Sequence, residues 1–505
     1  MGLMNRSFSL FDNARRSVSL LVRFWVISLV WVAPYSLADQ DTELRLNQDF
    51  ERSADQRERE FLRKRGEVEL PRLIIDGKEY RVHRNRDELG RALYVAVSRR
   101  NWAAALQFLA AYEQLENPDP LLLHYARGGL SRARGNLDNA EKEFRDLLSL
   151  KPDFLLGRLE LARVLFENHK NNEALEGFRA IKVSLDADRR MTLGVRDTVD
   201  TFLQALERRR GWQGRVAVGP TYNDNINLSS ESDTCLVAFS NGVCYIRRTL
   251  PDATGALGLD YEATLEKEIF LPGHHGLFAR GLAYGKVYRD HSIYNQGTAN
   301  LAVGYRYRDA DNLYTFAPLF EFVTQSNDAL YGAWGGRAEW MHYFSHLNAF
   351  ELEADYKYLQ HRRWRLAESL DGGLISLRST VWHQLPHQWT LFGGLDWVER
   401  HSEDQASAYR QPGARIGLLK PFNFGVEMTL FASFREKRYE TYSALLGARR
   451  EDREQHYMAI LRIPRLSVAG LVPSLNLEHT RVRSNVDWLY SYEENAASLK
   501  FEWRF

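Results

Sequence analysis

The chemical inventory of this 505-residue chain is sparse: two cysteines, fourteen histidines and no loop built to cradle a phosphate. Cys235 and Cys244 are the only cysteines, and both fall in what reads as one long loop. Two thiols with no neighbouring histidine do not make a metal site. In an exported chain they are expected to pair and pin that loop. His342 and His346 would share one face of a strand, but without a third ligand they read as interfacial polar residues. There is no Cys-x-x-Cys and no serine elbow. No catalytic residue, metal ligand or cofactor is therefore assigned, and the chain is not expected to be an enzyme. A serine or histidine site assembled on a rim from distant strands is the one enzymatic alternative left open. The remaining polar residues of interest are Asp260, Glu262, Glu351, Asp355, Lys357, Lys500, Glu502 and Arg504. They alternate with apolar neighbours, so they line one wet face, where they either line a water-filled lumen or pair to brace a wall.

Positioning them requires strands. In the last segment, Ala497 to Phe505, odd positions are apolar or aromatic and even positions polar, and an extended strand points successive side chains to opposite faces. The same alternation runs through 257–266, 350–358 and 426–434. A soluble antiparallel sheet also alternates. These runs, however, last about ten residues, enough to cross a bilayer when tilted. The links between them alternate between tight (309–312, 345–348, 386–387, 421–423) and long (223–252, 361–372, 438–450, 483–493), as a membrane barrel requires. Strand starts near 212, 253, 277, 296, 313, 331, 348, 373, 388, 408, 423, 451, 471 and 494 predict fourteen strands, an even number that puts both ends on the periplasmic side. Pro318 and Pro412 fall inside two of them, so bulges or shifted boundaries are expected. With its terminal Phe505 preceded by Leu499, Phe501 and Trp503, the last strand resembles the closing strand of a bacterial outer-membrane barrel, whose assembly signal these four residues would form.

Upstream the period becomes helical and repeats. Gly128, Ala140, Phe144 and Pro152 recur in part, 34 residues on, as Ala162, Ala174 and Phe178, and Asn101-Trp102 through Leu109 matches Asn136-Leu137 through Phe144. This spacing resembles the tetratricopeptide repeat, about three copies over 88–185 and a capping helix ending near Arg210. Stacked helix pairs form a groove that Tyr125, Arg132, Leu159, Arg163 and Phe166 would face, although Leu159 and Phe166 are equally read as core. Residues 39–66 are charged with little to bury, so a mobile arm or solvated helix is expected, and Asp76-Gly77 marks a small hairpin over 73–82. Arg15, Arg16 and Arg23 before the apolar run 24–35, with Ser36-Leu37-Ala38, read as a signal peptide cleaved near Asp39.

The division is thus 1–38 signal peptide, 39–87 charged arm and hairpin, 88–210 all-α repeat solenoid and 211–505 antiparallel transmembrane β-barrel, an α + β multidomain chain. A net charge of +1 offers no electrostatic case for nucleic acid. No run after residue 38 is apolar enough for a membrane helix.

The order of these parts, together with Gly211-Trp212-Gln213-Gly214-Arg215-Val216 and Tyr222-Asn223-Asp224-Asn225-Ile226-Asn227, resembles the surface lipoprotein assembly modulator (Slam) family from about residue 70 onward. That resemblance implies an outer-membrane translocator with its repeats in the periplasm, moving lipoproteins or small soluble proteins to the cell surface. Its implied partners are a client lipoprotein or secreted protein, outer-membrane lipid, the barrel-assembly machinery and periplasmic chaperones. A polysaccharide exporter, which also joins repeats to a barrel, and a porin-like channel are the alternatives.

Overall fold

A computed structural model describes residues 41–49, 58, 85–187 and 193–505, His346 and Leu445 apart. The proposed signal peptide and the 73–82 hairpin lie outside the described residues.

Residues 41–49 form a helix, α1. The solenoid follows as α2 Arg86–Ser98, α3 Trp102–Glu113, α4 Pro120–Ala133, α5 Leu137–Leu150, α6 Leu155–Glu167, α7 Asn171–Ala187 and α8 Leu193–Arg210. The repeat residues explain the pairing. Asn101 and Asn136 cap α3 and α5, accepting hydrogen bonds from the backbone N–H of Ala104 and Asn139 and satisfying donors that a helix start leaves open. Gly128 lets α4 approach α5 until a Cβ there would sit 2.9 Å from the buried Phe144 ring. Ala162 and Phe178 make the equivalent seam one repeat later.

The barrel strands are β1 Gln213–Asn223, β4 Ala256–Phe270, β5 His275–Tyr288, β6 Gln296–Arg308, β7 Asn312–Gln325, β8 Asp328–Ser345, β9 Asn348–His361, β10 Gly372–Leu385, β11 Trp389–Arg400, β12 Tyr409–Pro421, β13 Glu427–Tyr439, β14 Glu451–Arg462, β15 Val472–Ser484 and β16 Tyr492–Arg504. They close into one antiparallel ring of fourteen, sealed where β1 pairs with β16, Val216 opposite Trp503. Closure leaves no open strand edge, the condition for crossing lipid. Two further strands, β2 Asp233–Ala238 and β3 Cys244–Thr249, form a separate hairpin in the first long loop. A short helix, α9 Trp364–Leu370, and one turn, α10 Asp487–Tyr490, lie in two other long loops.

Two expectations need correction. Pro318 and Pro412 do not end their strands. Each keeps its register on one side, opposite Gly336 and Trp397, and interrupts the ladder only towards the other neighbour; a proline lacks one N–H but keeps its carbonyl. The bulge in this region lies elsewhere, at Val323–Thr324. Second, α1 is not solvated: Asp41, Glu43, Leu44, Leu46, Asn47 and Gln48 are all buried, because this charged stretch sits inside the barrel.

Candidate functional site

The outer face of the ring is apolar and uncovered. Leu257, Leu395, Trp334, Leu499, Phe501, Trp503 and Phe505 stand exposed on it, as a lipid-facing band should. The inner face is charged and paired. Lys500 Nζ reaches Asp260 at 2.8 Å and Glu262 at 2.6 Å, and Arg215 joins Glu262 to Glu502. Arg337 and Arg378 both grip Asp355, while Lys357 pairs with Glu321 at 2.5 Å. Seven of the eight inward residues read from the sequence are thus brought together as ion pairs around the wall, with Arg504 at the rim on Glu502; Glu351 accepts a hydrogen bond from Gln48 at 3.4 Å. Charged groups held this way satisfy one another where lipid could not satisfy them.

α1 lies across this lumen. Asp41 is held by Arg435 of β13 and accepts from the Ser433 hydroxyl at 2.7 Å. Glu43 binds Arg337 of β8 at 2.6 Å and Lys357 of β9 at 3.4 Å; Arg45 binds Glu262 of β4 at 2.5 Å. Gln48 reaches Glu351 and Thr380, and Asp49 meets Arg215 of β1 at 3.2 Å. Leu46 packs on Leu282 and Tyr284. Near the short-turn end the inner face changes character: Trp382, Phe392, Phe431, Met458 and Ile460 form a buried apolar cluster across β10 to β14, an inward patch that strict alternation of polar and apolar residues did not anticipate. Neither α1 nor this patch was found from the sequence. The available signal for the patch is the run of apolar residues at inward register, Phe431 two positions before Ser433 and Met458 two after His456.

The solenoid meets the barrel at the end bearing the short turns. The Gly273 N–H, in the turn between β4 and β5, donates to Glu173 of α7 at 2.6 Å, and Ala310, between β6 and β7, packs into the solenoid core. His169, at the turn between α6 and α7, sits in this contact. Burial, with the guanidinium groups of Arg308 and Arg209 nearby, holds its ring well below the usual imidazole range.

Of the five residues assigned to the repeat groove, Tyr125 and Arg132 come together. They line a cleft of about 220 Å³ with Arg100, Trp102, Glu160 and Glu167. Arg132 grips Glu167 at 2.5 Å and Glu160 at 2.8 Å. Burial and the Glu160 carboxylate push the Tyr125 hydroxyl upward. Leu159 and Phe166 lie in the second solenoid core cluster instead, and Arg163 is buried on Glu160 at 3.0 Å.

At the opposite end, Cys235 and Cys244 are joined across the β2–β3 hairpin. The Asn223–Asn227 stretch stitches the seam there. Asn223 donates to Glu494 at 2.5 Å, Asp224 accepts from the Asn495 backbone and side chain at 2.7 and 2.8 Å, and Asn225 donates to the Glu493 carbonyl at 2.8 Å. Ser230 and Ser232 donate to the Trp488 carbonyl at 2.6 and 2.5 Å, tying the first long loop over α10.

A closed fourteen-strand barrel with a charged lumen, docked through its short turns to a tetratricopeptide solenoid, defines an outer-membrane-type barrel protein with a helical adaptor. The chain belongs to the surface lipoprotein assembly modifier family: residues 212–505 match that family's barrel model and residues 75–178 match its N-terminal TPR repeats. Similar proteins include the hemophilin secretion modulator of Acinetobacter baumannii, 40% identical over 485 residues that cover 94% of this chain and 97% of that one. Surface lipoprotein assembly modifier 1 of Neisseria meningitidis serogroup B is 27% identical, over 88% of this chain and 87% of its own. The protein of that name from Haemophilus influenzae is 25% identical, over 84% and 88%. These relatives are named as modulators and modifiers of secretion or assembly, not as enzymes.

Proposed function

We propose that this protein delivers a client, a surface lipoprotein or a small secreted protein, from the periplasm to the cell surface. The observation that carries this reading is the docking of the solenoid on the short-turn end of a closed barrel, through Glu173 on Gly273 and Ala310 in the solenoid core. Barrels of this kind keep short turns on the periplasmic side, so the solenoid faces the compartment in which a client waits. The Tyr125–Arg132 cleft is one place for it to hold an incompletely folded client, and the lumen or its seam gives the path outward. There is no nucleotide at this membrane, so folding of the client outside supplies the drive.

Co-expression with a candidate lipoprotein, followed by external protease on intact cells, tests the proposal. Display of the client is expected to depend on this protein, and unchanged display after its deletion rejects that client. The family's solenoid model and the relative named for hemophilin secretion support a protein client over a polysaccharide. A lumen crossed by α1 argues against an open porin.

A further inference from the structure

The lumen is occupied by the chain's own residues 41–49, and the way they are held is unlike the way a permanent core element is held. Of nine residues only Leu44 and Leu46 are apolar. Asp41, Glu43, Arg45 and Asp49 bind through charge to walls that face each other across the ring: Arg435 on β13, Arg337 on β8 and Lys357 on β9 on one hand, Glu262 on β4 and Arg215 on β1 on the other. In the closed strand order β9 and β1 are separated by β8, β7, β6, β5 and β4, close to half the circle. The helix therefore bridges the passage and does not line one side of it.

Removing α1 would leave Arg435, Arg337 and Arg215 facing an open lumen beside their remaining wall partners Asp396, Asp355 and Glu502. Water can enter an emptied lumen and solvate them, so the seat survives without its occupant. Water, or charges on a passing chain, can replace these ion pairs group for group, which they could not do for apolar packing.

We infer that α1 is a resident stopper, an intramolecular occupant of the lumen that must leave its seat when a client polypeptide passes. The inference rests on reading the barrel as a client's route. The seat, with Arg435, Arg337 and Lys357 to meet acidic groups and Glu262 to meet a basic one, suits an extended or helical segment carrying mixed charge. The passing client takes over the contacts that Asp41, Glu43 and Arg45 make in the closed state.

Two measurements separate this inference from the reading beneath it. In planar bilayers, the purified full chain is expected to conduct little, while Asp41→Lys with Glu43→Lys, which repels the helix from Arg435, Arg337 and Lys357, is expected to raise conductance severalfold. Deletion of residues 41–49 gives the same result if the barrel assembles, which heat-modifiable migration on gels reports. Equal conductance in the wild type and in both assembled variants overturns the inference, whatever the protein transports. In cells, Leu46→Cys with Leu282→Cys locks the helix to β5 by an engineered disulfide. Client display is expected to fall in the locked protein and return on mild reduction. Display that persists with the helix locked makes α1 a fixed strut and overturns the inference while leaving the translocator reading intact. If display is independent of this protein altogether, it is the translocator reading that fails, and the bilayer measurement still decides whether α1 closes the lumen.

Discussion

Lys500 is among the most deeply enclosed side chains of the barrel, and it is a cation held between Asp260 and Glu262. Removing that cation leaves Asp260 beside Glu262 with only Arg45 and Arg215 remaining on Glu262 among the described residues, and breaking a buried set costs more than the pair contributes. Lys500→Met is expected to lower the stability of the folded barrel by about 3–5 kcal/mol, read as a lower urea midpoint for refolding into detergent or lipid. Arg145→Ala removes an exposed cation from Glu141 on α5, which is buried but keeps Lys170 at 2.8 Å, and is expected to change it by less than about 1 kcal/mol. Asn225 is a second point of leverage. Besides bonding the Glu493 carbonyl, it accepts from the Ser229 N–H at 2.9 Å, so Asn225→Ala orphans buried backbone groups at the seam and is expected to cost about 1–3 kcal/mol. The measurable sign is faster amide exchange in Asn223–Asn227 and in 493–495 than in the mid-strand pairs. Which residues face inward was legible, since a period of two leaves a strand no other choice. Their partners were not. Lys500 and Glu262 lie 238 positions apart, and only the closed register brings them together.

Elements were legible in proportion to how local their causes are. The solenoid could be read because its repeat is spelled out by small residues such as Gly128 and by asparagine caps, each acting within a few positions. α1 could not. It has no helical stripe of apolar residues, and its anchors are as remote as Arg435, 394 positions away, so its composition suggested exposure to water. Nor did the sequence show which repeat residues stay open and which, like Leu159 and Phe166, close the seam between helices. The joint between solenoid and barrel makes its own prediction. His169 is held neutral there by burial and by Arg308 and Arg209. Above its ordinary pKa of about 6.5 the ring is neutral docked or undocked and pH has no effect through it. Below that, the undocked or unfolded state takes up a proton that the docked state refuses, so docking weakens as pH falls. Exchange protection of the Gly273 amide is expected to decline between about pH 7 and pH 5.5. His169→Asn should flatten that decline, since asparagine tolerates the left-handed backbone at this position, φ 56°.

For the whole molecule, the governing fact is that oily side chains face outward. Leu395, at the middle of β11, is two-thirds exposed, a liability in water and an asset in a bilayer. Leu395→Arg is expected to destabilise the barrel in lipid by about 2–4 kcal/mol, measured by equilibrium folding into vesicles. Arginine already stands at Arg289, exposed just beyond the end of β5. A soluble sandwich would show the reverse order, tolerating arginine at an exposed position such as Leu395. Strand number, closure and the placement of long and short links followed from the sequence because each depends on counting residues against the thickness of a membrane. The shape of the lumen depends on side chains from every strand at once, and no single stretch carries it.

Thirty-five residues, 50–84, connect α1 to the start of the solenoid. A helix leashed in this way cannot diffuse off when dislodged. Its return is a first-order event within one molecule, independent of how many copies the cell makes. Each barrel would therefore reseal itself, and permeability of the envelope would scale with traffic and not with expression.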